Sequence, residues 1–259
     1  MTAPAAIVLA AGAGTRLRPL TTLRPKALCP VANVPLVDRA LTTIGRAGIR
    51  DVAANAHHLA GQIVSHLDGR VHVSVERSVA LGTAGAVGAL RSWLDGRHVL
   101  IYNSDAYLDG GPDVLHRLID GWTGAHPRAL VVRDAARADF DDWRFAGASL
   151  LPWSYAHSLP AEPAGLYEAV WRAADERGVL ELVEHTGTFI DCGTPQDYLA
   201  ANLHASGGAS VIGAGAVVDG ELVRSVVWPG AAVGRTERLV DCVRTDTGLT
   251  VDCSAGATR

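Results

Sequence analysis

Hydrophobic and polar positions follow two successive regimes along the chain. Ala5 to Ala10 (AAIVLA) is an unbroken apolar run, which predicts a buried strand ending in a Gly-bearing turn. Leu36, Val37, Ala40, Leu41 and Ile44 recur at helical spacing, and Gly48 stops that helix. Asp51 to Ala56 reads as a short strand, and His58 to Leu67 as a helix through Leu59, Ile63 and Leu67. Val71, Val73 and Val75 alternate as in a strand, and Thr83 is placed to cap a helix running to Leu94. His98 to Asn103 (HVLIYN) is the next buried strand. A helix through Val114, Leu115, Leu118 and Ile119 and a strand from Ala129 to Val132 follow. This alternation predicts an α/β fold: a Rossmann-like, doubly wound, mostly parallel sheet with helices on both faces. Ligands of such sheets bind beyond the carboxyl ends of the strands, here the turn after Leu9 and Ser104-Asp105.

The second regime begins near residue 206. Val211, Val217 and Val223 are six apart, as are Val227, Val233 and Leu239, and again Val243 and Leu249, with glycines between. That repeat predicts a short left-handed parallel β-helix; the alternative is a set of ordinary short strands joined by Gly turns. The expected division is 1–205 and 206–259. A short coil stack leaves an apolar end to be covered, so the tail is expected to serve assembly, giving a homo-oligomer, with no acyltransferase chemistry of its own, since no histidine follows His204.

Composition narrows the function. The 259 residues carry 23 Lys+Arg against 27 Asp+Glu, a formal charge of −4, which argues against nucleic-acid binding through bulk charge. With 48% hydrophobic and 19% charged residues the chain is not a disordered one. No apolar run reaches the roughly 18 residues of a membrane span. Met1 to Pro4 has no positive charge ahead of the short apolar run, so no signal peptide is expected. Cys29, Cys192, Cys242 and Cys253 form neither a C-x-x-C pair nor a disulfide scaffold, which suits a cytoplasmic enzyme.

The densest chemical signal is Leu9-Ala10-Ala11-Gly12-Ala13-Gly14-Thr15-Arg16-Leu17, followed by Arg18-Pro19-Leu20 and Arg24-Pro25-Lys26. Glycines let backbone amides approach an anion. A Walker A loop would need Gly-Lys-Ser/Thr at its end, and a dinucleotide fingerprint a third glycine where Leu17 stands. A third reading is a nucleotidyltransferase loop, with Arg16 on the outgoing pyrophosphate and Lys26 on the transferred phosphate. A Gly-rich turn with surface basic residues is the plain alternative.

The chain resembles the sugar-1-phosphate nucleotidyltransferases, including mannose-1-phosphate guanylyltransferase-like members with hexapeptide-repeat tails. Leu9 to Thr21 with Pro25-Lys26 is similar to that family's L-A-A-G-x-G-T-R-[LM]-x-P-L-T…P-K signature. Leu81-Gly82-Thr83-Ala84-Gly85-Ala86 resembles its nucleobase loop, and Asn103-Ser104-Asp105 its metal site. Phe145-Ala146-Gly147 resembles the start of its sugar-facing strand, and Phe189 to Tyr198 its W-x-D-[IV]-G-T-P segment. The resemblance implies nucleotide contacts at Leu9, Ala10, Ala11, Gly12, Gly14, Thr15, Glu76, Gly82, Thr83 and Asn103. It implies catalytic roles for Arg16, Lys26 and Asp105, sugar-side roles for Gly147 and Asp191, and Mg²⁺ on Asp105 and Asp191. The implied substrates are a nucleoside triphosphate and a sugar 1-phosphate.

That chemistry suits the residues. An ionised phosphate nucleophile needs no general base, only alignment and cationic neutralisation. His57-His58 lack a third ligand at suitable spacing, and Asp141-Asp142 read as a solvated loop. Cys192 reads as a small buried filler, and Trp143 and Trp153 as core or rim. The match fails on the acceptor side. RDAARADFDDWR (133–144) has no Glu-Lys pair, and Phe145 replaces the usual Asn. Arg133, Arg137 or Arg144 are the candidate substitutes for the missing Lys. GTP with a mannose-1-phosphate-like sugar is the first expectation, with Glu76 as acceptor for the guanine N1 and N2 donors. Uridylylation of an amino-sugar 1-phosphate and a non-catalytic regulatory relative are the alternatives.

Overall fold

The computed structural model describes residues 4–109 and 113–254. Met1, Thr2 and Ala3, part of the leader argument, lie outside the described residues. Compactness does not divide the chain at 205/206. One unit comprises the described parts of Met1–Gly12, Val37–Ser104 and Leu108–Phe189; the other comprises those of Ala13–Leu36, Asp105–Tyr107 and Ile190–Arg259. Residues from the glycine-rich motif thus belong to the same compact unit as the tail.

The first unit holds a seven-stranded sheet. Its order is Glu181–Glu184, Arg128–Arg133, Trp143–Leu151, Val99–Asn103, Ala5–Leu9, Val52–Ala56 and His72–Val75. Every neighbouring pair is parallel except those made by Trp143–Leu151, which runs antiparallel to both its neighbours. The predicted mixed α/β, mostly parallel sheet is therefore the observed one. Ala5, Ala6, Ile7 and Val8 are fully buried, as expected of a central strand covered on both faces. Helices Leu36–Arg46, Ala60–Leu67 and Gly82–Ala89 stand where periodicity places them. The last is shorter than predicted: it ends at Ala89, and a separate turn, Arg91–Leu94, follows Leu90. Thr83 does not cap it; the helix has no side-chain cap, and the Thr83 hydroxyl accepts the Leu166 N–H at 2.7 Å. Gly147 (φ 84°) lies in the irregular stretch of the Arg128–Arg133/Trp143–Leu151 pairing, where the register shifts.

The second unit has its own core. Leu17, Leu20, Val31 and Leu36 from the motif segment pack with Tyr198 and Leu199 of helix Pro195–Ala205 and with Val211, Val226, Trp228 and Val243 of the tail. Tail strands pair in three parallel ladders: Val211 with Val226 and then Val243, Val217 with Ala232, and Leu222 with Leu239. Thr250–Asp252 closes the series by turning back antiparallel to Cys242–Arg244. The six-residue phase fails at two places, Val217 and Val223. Val217 is 59% exposed, whereas Val218 and Leu222 pack on the cluster of Val227, Ala231, Val233 and Leu239. Among the described residues no helix is long and apolar enough to cross a membrane.

Candidate active site

The expected site residues fall into two groups, one in each compact unit. The first is built on the ends of parallel strands. Val52–Ala56 carries Asn55, a polar residue in an apolar run (VAANA) and almost wholly buried. A buried amide must find partners. Asn55 Oδ1 accepts the Ala10 N–H at 2.7 Å, and Asn55 Nδ2 donates to Glu76 Oε1 at 2.7 Å. Glu76 Oε2 accepts the Leu81 N–H at 2.8 Å. A continuous relay therefore ties the start of the glycine-rich loop to the start of the L-G-T-A-G-A segment. Each Glu76 carboxylate oxygen already has an internal donor, so the side chain positions the two loops, and a nucleobase donor would share those oxygens. His57 joins the same tie, with Nδ1 2.7 Å from the Glu76 carbonyl oxygen. Asn55 was missed in sequence; its signal was a lone amide inside an apolar strand.

Around this relay the other expected contacts take their places. The Leu9 carbonyl accepts from Ser104 N at 3.2 Å and Ser104 Oγ at 2.7 Å, so the strand ends carrying Leu9 and Asn103 are locked together. The Ala11 carbonyl accepts the His58 N–H at 3.4 Å. A Cβ on Gly12 would meet nothing within 4 Å, so packing does not require glycine there. Gly82 (φ +70°) is different: its Cβ would come within 2.6 Å of the Ala164 carbonyl oxygen, and that of Gly85 within 2.1 Å of the Glu162 carbonyl oxygen. These glycines let the helix lie directly on the backbone of 159–166. On the acceptor side, the candidate arginines are all engaged. Arg133 pairs with Asp142 at 3.3 Å, Arg137 with Asp134 at 2.9 Å, and Arg144 with Asp134 at 3.6 Å.

The second group is a charge cluster. Gly14 (φ +57°) starts the Thr15–Leu17 turn, and its carbonyl accepts the Thr21 hydroxyl at 2.8 Å. That bond gives the threonine at the end of the motif its structural reason. Lys26 opens the Lys26–Leu28 turn after Pro25. Its Nζ lies 3.1 Å from Asp105 Oδ2 and 3.1 Å from Asp191 Oδ1. Arg16 Nη2 lies 3.2 Å from Asp191 Oδ2, with the guanidinium largely exposed. Gly193 makes room for it: a Cβ there would stand 2.8 Å from Arg16 Nη2. Thr194 caps helix Pro195–Ala205 by accepting the Asp197 N–H at 3.1 Å, with Pro195 at the first helical position. The D-C-G-T-P run is thus a carboxylate, a gap for the arginine and a helix start. Burial pulls the Lys26 ammonium down, but Asp105 and Asp191 outweigh it and hold it above its ordinary value. Burial pushes Asp191 up, and Lys26 and Arg16 overcome that and hold it below the usual carboxylate range.

Among the described residues no group of three His, Cys, Asp or Glu side chains gathers to hold a metal. Two carboxylates, one of them half-exposed, instead fit Mg²⁺, which takes one or two carboxylates and completes its shell with water and substrate phosphate.

Residues 5–120 match the family model described as nucleotidyl transferase. The chain is 38% identical over 109 residues to an N-acetylmuramate alpha-1-phosphate uridylyltransferase of Caulobacter vibrioides, covering 39% of this chain and 45% of that one. It is 32% identical over 207 residues to a glucose-1-phosphate thymidylyltransferase of Streptomyces antibioticus, covering 73% and 58%. The chain thus spans about half the length of these curated relatives. A solved structure titled a putative glucose-1-phosphate thymidylyltransferase from Bacillus anthracis superimposes with TM-score 0.65 at 21% identity over 78% of this chain and 95% of that one, which is a likeness of fold. Together with the glycine-rich loop, the Lys26 cluster and the mostly parallel sheet, these matches support the sugar-1-phosphate nucleotidyltransferase family for this chain.

Proposed function

We propose that the protein transfers a nucleoside monophosphate from a nucleoside triphosphate to a sugar 1-phosphate. The sugar-phosphate oxygen attacks the α-phosphorus, the bond to the β-phosphate bridging oxygen breaks, and pyrophosphate leaves. The observation that carries this reading is Lys26 held 3.1 Å from both Asp105 and Asp191, with Arg16 on Asp191. Lys26 is the cation for the phosphorus under attack, and Arg16, its guanidinium largely exposed, neutralises the departing pyrophosphate. Asp105 and Asp191 would hold Mg²⁺, which when bound supplies Lewis-acid neutralisation of the phosphate oxygens. Glycine at position 12 leaves the backbone amides there open to an anion.

The internal commitment of Glu76 favours a pyrimidine triphosphate over GTP, because guanine recognition would have to share an acceptor that already takes two donors. The relatives carry uridylyltransferase, thymidylyltransferase and guanyltransferase names. We therefore put uridylylation of an amino-sugar 1-phosphate ahead of the GTP and mannose-1-phosphate pair. Pyrophosphate release from UTP, dTTP, GTP and ATP, each with glucose, mannose and amino-sugar 1-phosphates, tests it. Turnover with GTP alone overturns the base. Nucleotide binding without turnover on any pair favours the non-catalytic regulatory relative.

The three parallel ladders support reading the tail as a short β-helix, left-handed as its repeat suggests. Homo-oligomerisation through it is proposed on the exposed Ile212 and Val217, and light scattering that reads a monomer overturns it. Four free thiols accord with a cytoplasmic site of action.

A further inference from the structure

The tail was expected to serve assembly and to stand apart from chemistry. We infer instead that it supports the segment bearing Lys26, with Trp228 and Asp246 as positioning residues that act through Arg24. The inference rests on the role given above to Lys26.

Residues 24–33 are held at four points by the last helix and the tail. The Arg24 guanidinium lies 3.8 Å from the centroid of the Trp228 ring, and Arg24 Nη2 is 3.5 Å from Asp246 Oδ1. The Tyr198 hydroxyl donates to the Pro30 carbonyl at 2.5 Å and accepts from Trp228 Nε1 at 3.1 Å. Asn202 Oδ1 accepts the Ala32 N–H at 3.0 Å, and Asn33 Nδ2 donates to the Ile212 carbonyl at 2.8 Å. Trp228 is itself immobile: it is fully buried, and both its ring face and its N–H are engaged.

Only Pro25 separates Arg24 from Lys26, and its ring fixes φ at −56°. The turn that follows is closed by Leu28 N–H to the Pro25 carbonyl at 2.8 Å and Cys29 N–H to the Lys26 carbonyl at 3.0 Å. With so few soft torsions between them, where Arg24 rests decides where the Lys26 side chain starts. A lysine that must meet a transferring phosphate is sensitive to displacements of about 1 Å. The tail therefore sets turnover more than substrate affinity.

The test uses the full chain carrying Arg24→Gln, Asp246→Ala, Trp228→Phe or Trp228→Leu. Arg24→Gln is expected to lower kcat about tenfold with KM for both substrates within about twofold. Trp228→Leu should match it, whereas Trp228→Phe, which keeps an aromatic face for the guanidinium, should restore most of the rate. Asp246→Ala should lower kcat about twofold, its pair being partly exposed. Amide hydrogen exchange at Leu28 and Cys29 should quicken in Arg24→Gln by a similar factor, a readout independent of turnover. Unchanged exchange and kcat in Arg24→Gln overturn the inference, and that variant decides if Trp228→Leu fails to fold. Faster exchange in a protein that shows no pyrophosphate release at all would uphold the support and locate the error in the reaction instead.

Discussion

The two compact units settle buried polar groups in opposite ways. In the first, Asn55 and Glu76 are buried deeply and spend their hydrogen-bonding capacity on backbone N–H groups and on each other, fixing loops. In the second, Lys26 is buried but its partners Asp105 and Asp191 remain partly open to solvent, so charge is stored where it can be exchanged for that of a ligand. A satisfied relay is rigid, because any movement leaves an unpaired group in a low dielectric. A charge cluster is poised, because an incoming phosphate and its cation can replace each internal partner with one of the same sign. The comparison teaches that shape in this protein is set in one place and reactivity in another.

The largest effect should come from the charge cluster. Lys26→Met should lower kcat by about 10²–10³, the scale for losing one preorganised electrostatic contact. Steady-state kinetics should show the change in kcat more than in KM, and an effect confined to KM would make Lys26 a binding residue only. The relay should behave in reverse. Asn55→Ala leaves the Ala10 N–H and Glu76 Oε1 unpartnered, and should cost about 1–3 kcal/mol in urea unfolding. It should also raise KM for the triphosphate while kcat changes little. If it instead moved kcat alone, the division between shape and reactivity would be wrong.

Gly85→Ala sharpens the same contrast without touching a polar group. Its Cβ would meet the Glu162 carbonyl oxygen at 2.1 Å, so the helix must shift away from 159–166, at a cost of about 1–3 kcal/mol. Gly12→Ala, with open space around the Cβ, should leave the thermal midpoint unchanged and weaken triphosphate binding in calorimetry.

The smallest effect is the pH dependence. Asp191 is held below its usual 3.8, so its contribution to stability is present above that value and is lost as pH falls through its lower folded value. Lys26 is held above its usual 10.5, so its contribution is present below that value and is lost as pH rises through its higher folded value. Between them the stability difference between wild type and Lys26→Met should be flat, as read from urea unfolding across neutral pH. A slope there would mean that another group titrates against the cluster.

Sequence by itself determined the strand–helix alternation of the first 135 residues, because a strand buried on both faces and a helix buried on one leave different apolar periods. It also singled out Arg16, Lys26, Asp105 and Asp191, which stand in short motifs and which the structure brings together. Tertiary structure alone decided what those motifs lean on. Asn55 and Glu76 are 21 residues apart, and Arg24 and Trp228 are separated by most of the chain; no local period records such pairings. It also decided which glycines packing requires, since Gly12 and Gly85 look alike in sequence and differ only in what lies above them. The phase slip at Val217 has the same origin. Successive strands of one ladder pair at offsets of 15 and 17 residues (211 to 226, 226 to 243) and not at three times six, so the inward position moves to Val218. A repeat is written locally, but which side chain faces the core is fixed only when one strand pairs with the next.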